Sequence, residues 1–133
     1  MINMSDTIFT KIIKGEIPSY KVYEDDLVYA FLDIHPKTDG HTLVIPKRQV
    51  EFVWDMSDDE YLAVMKAAKQ IALKLRQVFG YQYVGELVFG MDVPHAHVHV
   101  YGFNVPEEAR RIPDPDAPID NDKLAENAKK LAL

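Results

Sequence analysis

The sequence predicts an α+β domain built on a mostly antiparallel sheet. Three observations lead to that class. Five short apolar runs are bounded by turn residues, and one long stretch in the middle repeats with helical period. The links between adjacent runs are too short for parallel crossovers. The chain has 133 residues, which is room for one domain. Its apolar share of 47% is ordinary for a globular protein and excludes wholesale disorder. There is no cysteine, so a disulfide framework, a thiolate metal site, an iron–sulfur cluster and a cysteine nucleophile are excluded together. The net charge of −6 argues against general nucleic-acid binding. One phosphorylated small molecule stays possible, since a few local donors can hold it.

The elements follow in order. Asp6 can cap a short helix over Thr7–Lys14, with Ile8, Phe9, Ile12 and Ile13 on one face and Gly15 as its stop. Two strand-like runs, Tyr20–Tyr23 and Val28–Leu32, flank the acidic turn Glu24-Asp25-Asp26. The loop from His35 to Gly40 leads into a third run, Thr42–Ile45, closed by Pro46. Ser57 and Glu60 read as a capping box. Behind it Tyr61, Met65, Ala68, Ala72, Leu75 and Phe79 recur every three or four residues, widened by Leu62, Ile71 and Val78, up to Gly80. This stripe reads as a core-facing surface. Two further strands, Tyr83–Phe89 and His95–Tyr101, complete the sheet. Residues 1–103 then form the domain, and 104–133 a Pro/Asp-rich tail with a short helix over Asn121–Leu131. The N-terminus lacks a basic patch followed by an apolar stretch, and no apolar run approaches the length of a membrane span. A cytoplasmic protein without a membrane partner is expected.

Three of the five histidines fall within five residues: His95, His97 and His99. On a strand they share one face, while Ala96, Val98 and Val100 share the other. Such a row of imidazoles has three uses. It can ligate a metal, with His41 or Asp92 as a further ligand. It can attack phosphorus, one neutral imidazole as nucleophile and a neighbour donating to phosphate oxygens. Or it can be structural, satisfied by backbone partners.

His95-Ala96-His97-Val98-His99-Val100-Tyr101 resembles the signature of the histidine triad (HIT) family of nucleotide-binding proteins. Upstream, Ile8-Phe9, Gly15-Glu16-Ile17-Pro18, Val22–Asp26, Ala30–Ile34 and Gly40–Lys47 resemble family segments in family order. The resemblance runs from about Thr7 to Gly102 and omits the tail. It implies a HIT-like antiparallel five-stranded sheet with a long and a short helix packed on it, and a homodimer. It implies a nucleotide phosphoramidase or dinucleoside polyphosphate hydrolase working at the α-phosphate through a nucleotidyl-histidine intermediate. The alternative is a nucleotide-binding module with weak or lost catalysis. His97 would be the nucleophile, His99 would bond the phosphate or leaving group, and His95 and His41 would sit behind. Asp33 would accept from the ribose hydroxyls, and Ile8, Phe9, Phe31 and Ile34 would wall the base of a purine nucleotide or conjugate. Gly90 would let the phosphate approach the backbone.

The chain also departs from the pattern. Family members with a structural zinc place a Cys-x-x-Cys and a histidine where this chain has Thr7, Thr10 and Gln49, so no metal and no cofactor is expected. The polar residues that other members place eleven, four and three positions before the first histidine fall here on Val84, Met91 and Asp92. Asp92 would bring negative charge to a phosphate site.

Overall fold

The computed structural model describes residues 5–133. The reading of the N-terminal stretch as lacking a leader rests largely on residues 1–4, which lie outside the described residues. Thr7 rather than Asp6 caps the first helix, α1 (Ile8–Ile13): its hydroxyl accepts from the Thr10 amide. Asp6 instead pairs with Lys14 Nζ at 2.7 Å. Gly15 (φ +80°) follows α1 in the left-handed region, as a helix stop requires.

Strands β1 (Lys21–Glu24), β2 (Val28–Leu32), β3 (Thr42–Pro46), β4 (Tyr83–Leu87) and β5 (Val98–Phe103) form one sheet in the order β1-β2-β3-β5-β4. Every neighbouring pair is antiparallel. The expected α+β class and five-stranded sheet are therefore found. The central pairs set Phe31 opposite Leu43, and Leu43 opposite His99. Directly paired residues point to the same side, so one face carries Phe31, Leu43 and His99 in a row. Phe9 and Ile12 of α1 pack on this face with Tyr29 and Ile45.

The other face carries Val28, Ala30, Leu32, Val44, Val98 and Val100. Helices α2 (Asp58–Phe79) and α4 (Asn121–Leu131) cover it. The Ser57–Glu60 capping box starts α2, and Gly80 (φ +71°) ends it. The buried stripe of α2 differs from the expected one. It runs through Val64, Ala67, Ala68, Ile71 and Leu75, while Tyr61 and Leu62 face solvent. On this helix Glu60 lies on the buried side, bonded to Arg48 at 2.7 and 3.0 Å. In the tail, α4 matches the expected range and buries Leu124, Ala128 and Leu131 in the same core as α2. A further short helix, α3 (Pro106–Ala109), precedes it. Among the described residues, no helix is long and apolar enough to cross a membrane.

Candidate active site

β5 begins at Val98, so His95 and His97 lie just before the strand rather than on it. The strand expected over His95–Tyr101 starts late because Ala96 donates its amide to Val50 O outside the sheet. The alternation survives in part. His97 and His99 line one cavity of about 270 Å³, while His95 is fully buried behind them.

Hydrogen bonds fix the proton positions on all four site histidines. Carbonyl oxygens only accept, so a ring nitrogen facing one must carry hydrogen. His97 Nδ1–H donates to His95 O at 2.7 Å, leaving Nε2 as the bare nitrogen of the neutral ring. His95 Nε2–H donates to Pro46 O at 2.8 Å, so its Nδ1 accepts, and the Thr7 hydroxyl lies 3.0 Å away. His41 Nδ1 accepts from the Lys37 amide at 3.0 Å, so its Nε2 carries hydrogen and donates to His99 Nδ1 at 2.9 Å. His99 is thereby left with Nε2–H as its free donor.

Burial supports these neutral forms. It pushes His41 down to about 3, with the neighbouring His99 and Lys37 adding to the effect. It pushes His99 down to about 4, again as the main cause, with His97 beside it. His95 is lowered too, chiefly by burial. Removing charge from water disfavours the charged form of a base.

The apolar part of the cavity comes from α1 and the sheet. Ile8, Phe9, Phe31 and Ile34 all line it. Phe9 meets His97 edge-on, with ring centroids 5.2 Å apart. Asp33 lies at the end of β2 and lines the same cavity. Its Oδ1 accepts from the His35 amide at 2.9 Å, and its carboxyl is raised above the usual range mainly by burial. Asp33 Oδ2 is 3.8 Å from His41 Nε2. With His41 neutral, that approach is not an ion pair. Asp92 is exposed and also lines the cavity.

Gly90 stands apart. It has φ +76°, and the atom nearest to a side chain built there belongs to the Phe52 ring, 3.5 Å away. It does not line the cavity. Met91 is 80% exposed. Val84 packs toward the α2 side of the sheet. The residue paired with His99 on the histidine face is Leu87.

Neither possible metal arrangement fits its donors. Asp33, His41 and His99 bring ligand atoms within 4.8 Å of one another. The His41 Nε2 that faces the group carries hydrogen and has no lone pair for a metal. Thr7, Thr10 and Gln49 do converge beside His95 Nδ1. Thr10 Oγ1 donates to Gln49 Oε1 at 2.6 Å, and the Thr7 amide donates to the same oxygen at 2.9 Å. This is a closed set of neutral hydroxyl and amide groups, not a zinc ligand set.

Comparison with known proteins agrees with this geometry. The family model for the HIT domain matches residues 14–104. An uncharacterized HIT-like protein of Borreliella burgdorferi is 48% identical over 104 residues, 73% of this chain and 75% of that protein. The adenosine 5′-monophosphoramidase of Saccharomyces cerevisiae is 36% identical over 126 residues, 93% of this chain and 79% of that enzyme. Among solved structures, a HIT-like protein from Bartonella henselae superposes with a TM-score of 0.85 at 34% identity, covering 98% of this chain and 97% of that one. With its sheet order, its row of imidazoles and its apolar cleft, this chain belongs to the HIT domain family.

Proposed function

We propose that the protein hydrolyses a purine nucleotide conjugate at its α-phosphate, with an adenosine phosphoramidate as the first candidate substrate. One observation carries the reading. His97 is held by Nδ1–H on His95 O, which leaves Nε2 bare beside an apolar cleft and the His99 donor. A neutral imidazole so held is a ready nucleophile.

The steps follow from those atoms. The base enters between Ile8, Phe9, Phe31 and Ile34, and the Asp33 carboxylate accepts from the ribose hydroxyls. The Nε2 lone pair of His97 attacks the α-phosphorus. The P–N bond to the ring forms as the bond to the leaving amine breaks; the departing nitrogen takes a proton from solvent water, and the water that attacks in the second step returns one. His99 Nε2–H donates to the phosphate oxygens, where negative charge gathers. Water then attacks the phosphorus of the nucleotidyl-His97 intermediate, which releases nucleoside monophosphate and restores the ring. His95 and His41 touch no substrate. They position His97 and His99. Dinucleoside polyphosphates would react by the same path with a phosphate leaving group. The yeast relative's name as a monophosphoramidase favours the amine.

The test is turnover of adenosine 5′-phosphoramidate and of a dinucleoside polyphosphate by wild type and His97→Ala. Release of AMP by wild type and its loss in the variant, with AMP binding retained, is expected. Equal turnover by His97→Ala overturns the reading.

A second reading is favoured by Asp92 and Leu87. A carboxylate lines the cavity, and an apolar side chain sits opposite His99. Both weaken the welcome for a phosphate, as in a nucleotide-binding module with lost catalysis. Turnover of the phosphoramidate at ordinary enzyme rates of about 1 s⁻¹ or more excludes it.

We also propose that the protein is a cytoplasmic homodimer. The reading is supported by β4, which lies at the sheet edge beside exposed Phe89 and Met91. Sedimentation at monomer mass across micromolar concentrations would overturn the dimer.

A further inference from the structure

Where the neutral rings of His41 and His99 meet, two proton orders are open. His41 Nε2–H can donate to His99 Nδ1, or His99 Nδ1–H can donate back. Only the first leaves His99 with Nε2–H as a free donor. The choice falls to the Lys37 amide, which faces His41 Nδ1 at 3.0 Å. A residue that fixes Lys37 therefore acts on the histidine site from outside it. We infer that Arg111, in the segment after α3, is such a positioning residue: it holds Lys37 and so keeps the free N–H on His99, a donor whose use rests on the α-phosphate reading above.

Three hydrogen bonds join Lys37 to that segment. Arg111 Nη1 donates to Lys37 O at 3.0 Å. The Lys37 ammonium runs the other way, to Arg111 O at 2.5 Å and to Ala109 O at 3.2 Å. Each of the two residues thus holds the other's backbone carbonyl. The donors are charged, which makes these bonds stronger than neutral ones. The Lys37 side chain also passes over the Tyr101 ring, with Nζ 5.3 Å from its centroid. Tyr101 is buried, and its ring stands 5.6 Å from that of His41. Lys37 is pinned at its side chain and its carbonyl while its amide serves His41.

The rest of the loop has its own anchors. Thr38 Oγ1 donates to Gly102 O at 2.6 Å, and the Tyr81 hydroxyl to Asp39 O at 2.7 Å. Exposed Arg111 can therefore be removed with the loop in place and Lys37 alone set free. Once the amide leaves His41 Nδ1, that buried nitrogen loses its donor. The reverse proton order then becomes comparable, and His99 loses its free N–H in a share of the molecules.

The test uses the full chain with isotope-labelled histidine. Long-range proton–nitrogen NMR at about pH 7 reads which ring nitrogen carries hydrogen. Wild type should show His41 with Nδ1 bare and His99 with hydrogen on Nε2. Arg111→Ala should give mixed signals for both rings, lower kcat for adenosine 5′-phosphoramidate by about threefold and leave KM within about twofold. Arg111→Lys, which keeps a charged donor, should restore the rings and kcat. Ring signals unchanged in folded Arg111→Ala overturn the inference, whether or not Tm falls, because a merely structural role moves only Tm. Altered rings with kcat at its wild-type value overturn it too. Altered rings in a protein whose wild type releases no AMP would uphold the role of Arg111 in the proton order and overturn the phosphoramidate reading instead.

Discussion

His41 Nε2 lies 2.9 Å from His99 Nδ1, and the Lys37 amide, 3.0 Å from His41 Nδ1, decides which of the two rings donates. A backbone N–H cannot accept, so the proton order runs from Lys37 through His41 to His99 without ambiguity. The result is a His99 ring that presents N–H to the cavity.

Replacing His41 by Ala should lower kcat by about tenfold with little change in KM, since a neutral hydrogen bond is worth about 1 kcal/mol. A purely structural role would lower the amount of folded enzyme and leave the pH profile alone. Here the acid limb of the kcat profile should move toward neutrality, because His99 loses the donor that occupies its Nδ1. Steady-state kinetics from pH 4 to 8 on the folded variant checks both. An unmoved acid limb contradicts the positioning role.

Asp33 is proposed to read the ribose. Asp33→Ala should raise KM for an adenosine conjugate by about tenfold and leave the 2′-deoxy analogue less affected, since only the former loses a hydroxyl partner. The ratio of kcat/KM for the two substrates is the readout. A ratio that stays at its wild-type value assigns Asp33 to the turn alone.

Stability should depend on pH in a stated direction. Burial holds His41 near 3 and His99 near 4 in the folded chain, while unfolded imidazoles titrate near about 6.5. Between those values the unfolded chain binds protons that the folded one refuses. Stability is therefore full above about pH 6.5 and falls as the pH drops toward 4, by at most about 1.4 kcal/mol per histidine per pH unit. Asp33, raised by burial, works the other way at the acid end. Urea midpoints at pH 7 and pH 5 test this. Equal midpoints contradict it.

Gly40 combines a left-handed backbone with close packing, immediately before His41. A Cβ added there would sit 2.7 Å from a Leu75 methyl and 2.9 Å from the Phe79 ring, with φ +88°. Gly40→Ala should cost about 2 kcal/mol or more and lower Tm by roughly 5–10 °C. An unchanged Tm would mean that the loop relaxes freely and does not fix His41.

Much of this was legible in the residues. The triad spacing, the capping box, Gly80 and the range of α4 are local signals, and local signals survive folding. Ile8, Phe9, Phe31, Ile34, Asp33 and Asp92 meet at one cavity with His97 and His99. What escaped were properties set by distant partners. Thr7, not Asp6, is the cap, and its hydroxyl also lies 3.0 Å from His95 Nδ1. The α2 stripe is set by how the helix lies on the sheet, which buries Val64, Ala67, Ala68, Ile71 and Leu75. That Leu87 stands opposite His99 is set by the β4–β5 register, which no local signal gives. The ring protonation needed Lys37 and Pro46, neither of which has a sequence pattern pointing to a histidine.

The central claim is that His97 Nε2 becomes bonded to the substrate's phosphorus. Acid-quenched single turnover with an adenosine phosphoramidate, followed by peptide mass spectrometry, tests it most directly. An acid-labile adenylyl group on His97, absent from His97→Ala, is the expected result. Full turnover with no adduct at any time point, or an adduct on His95 or His99 in its place, would contradict it.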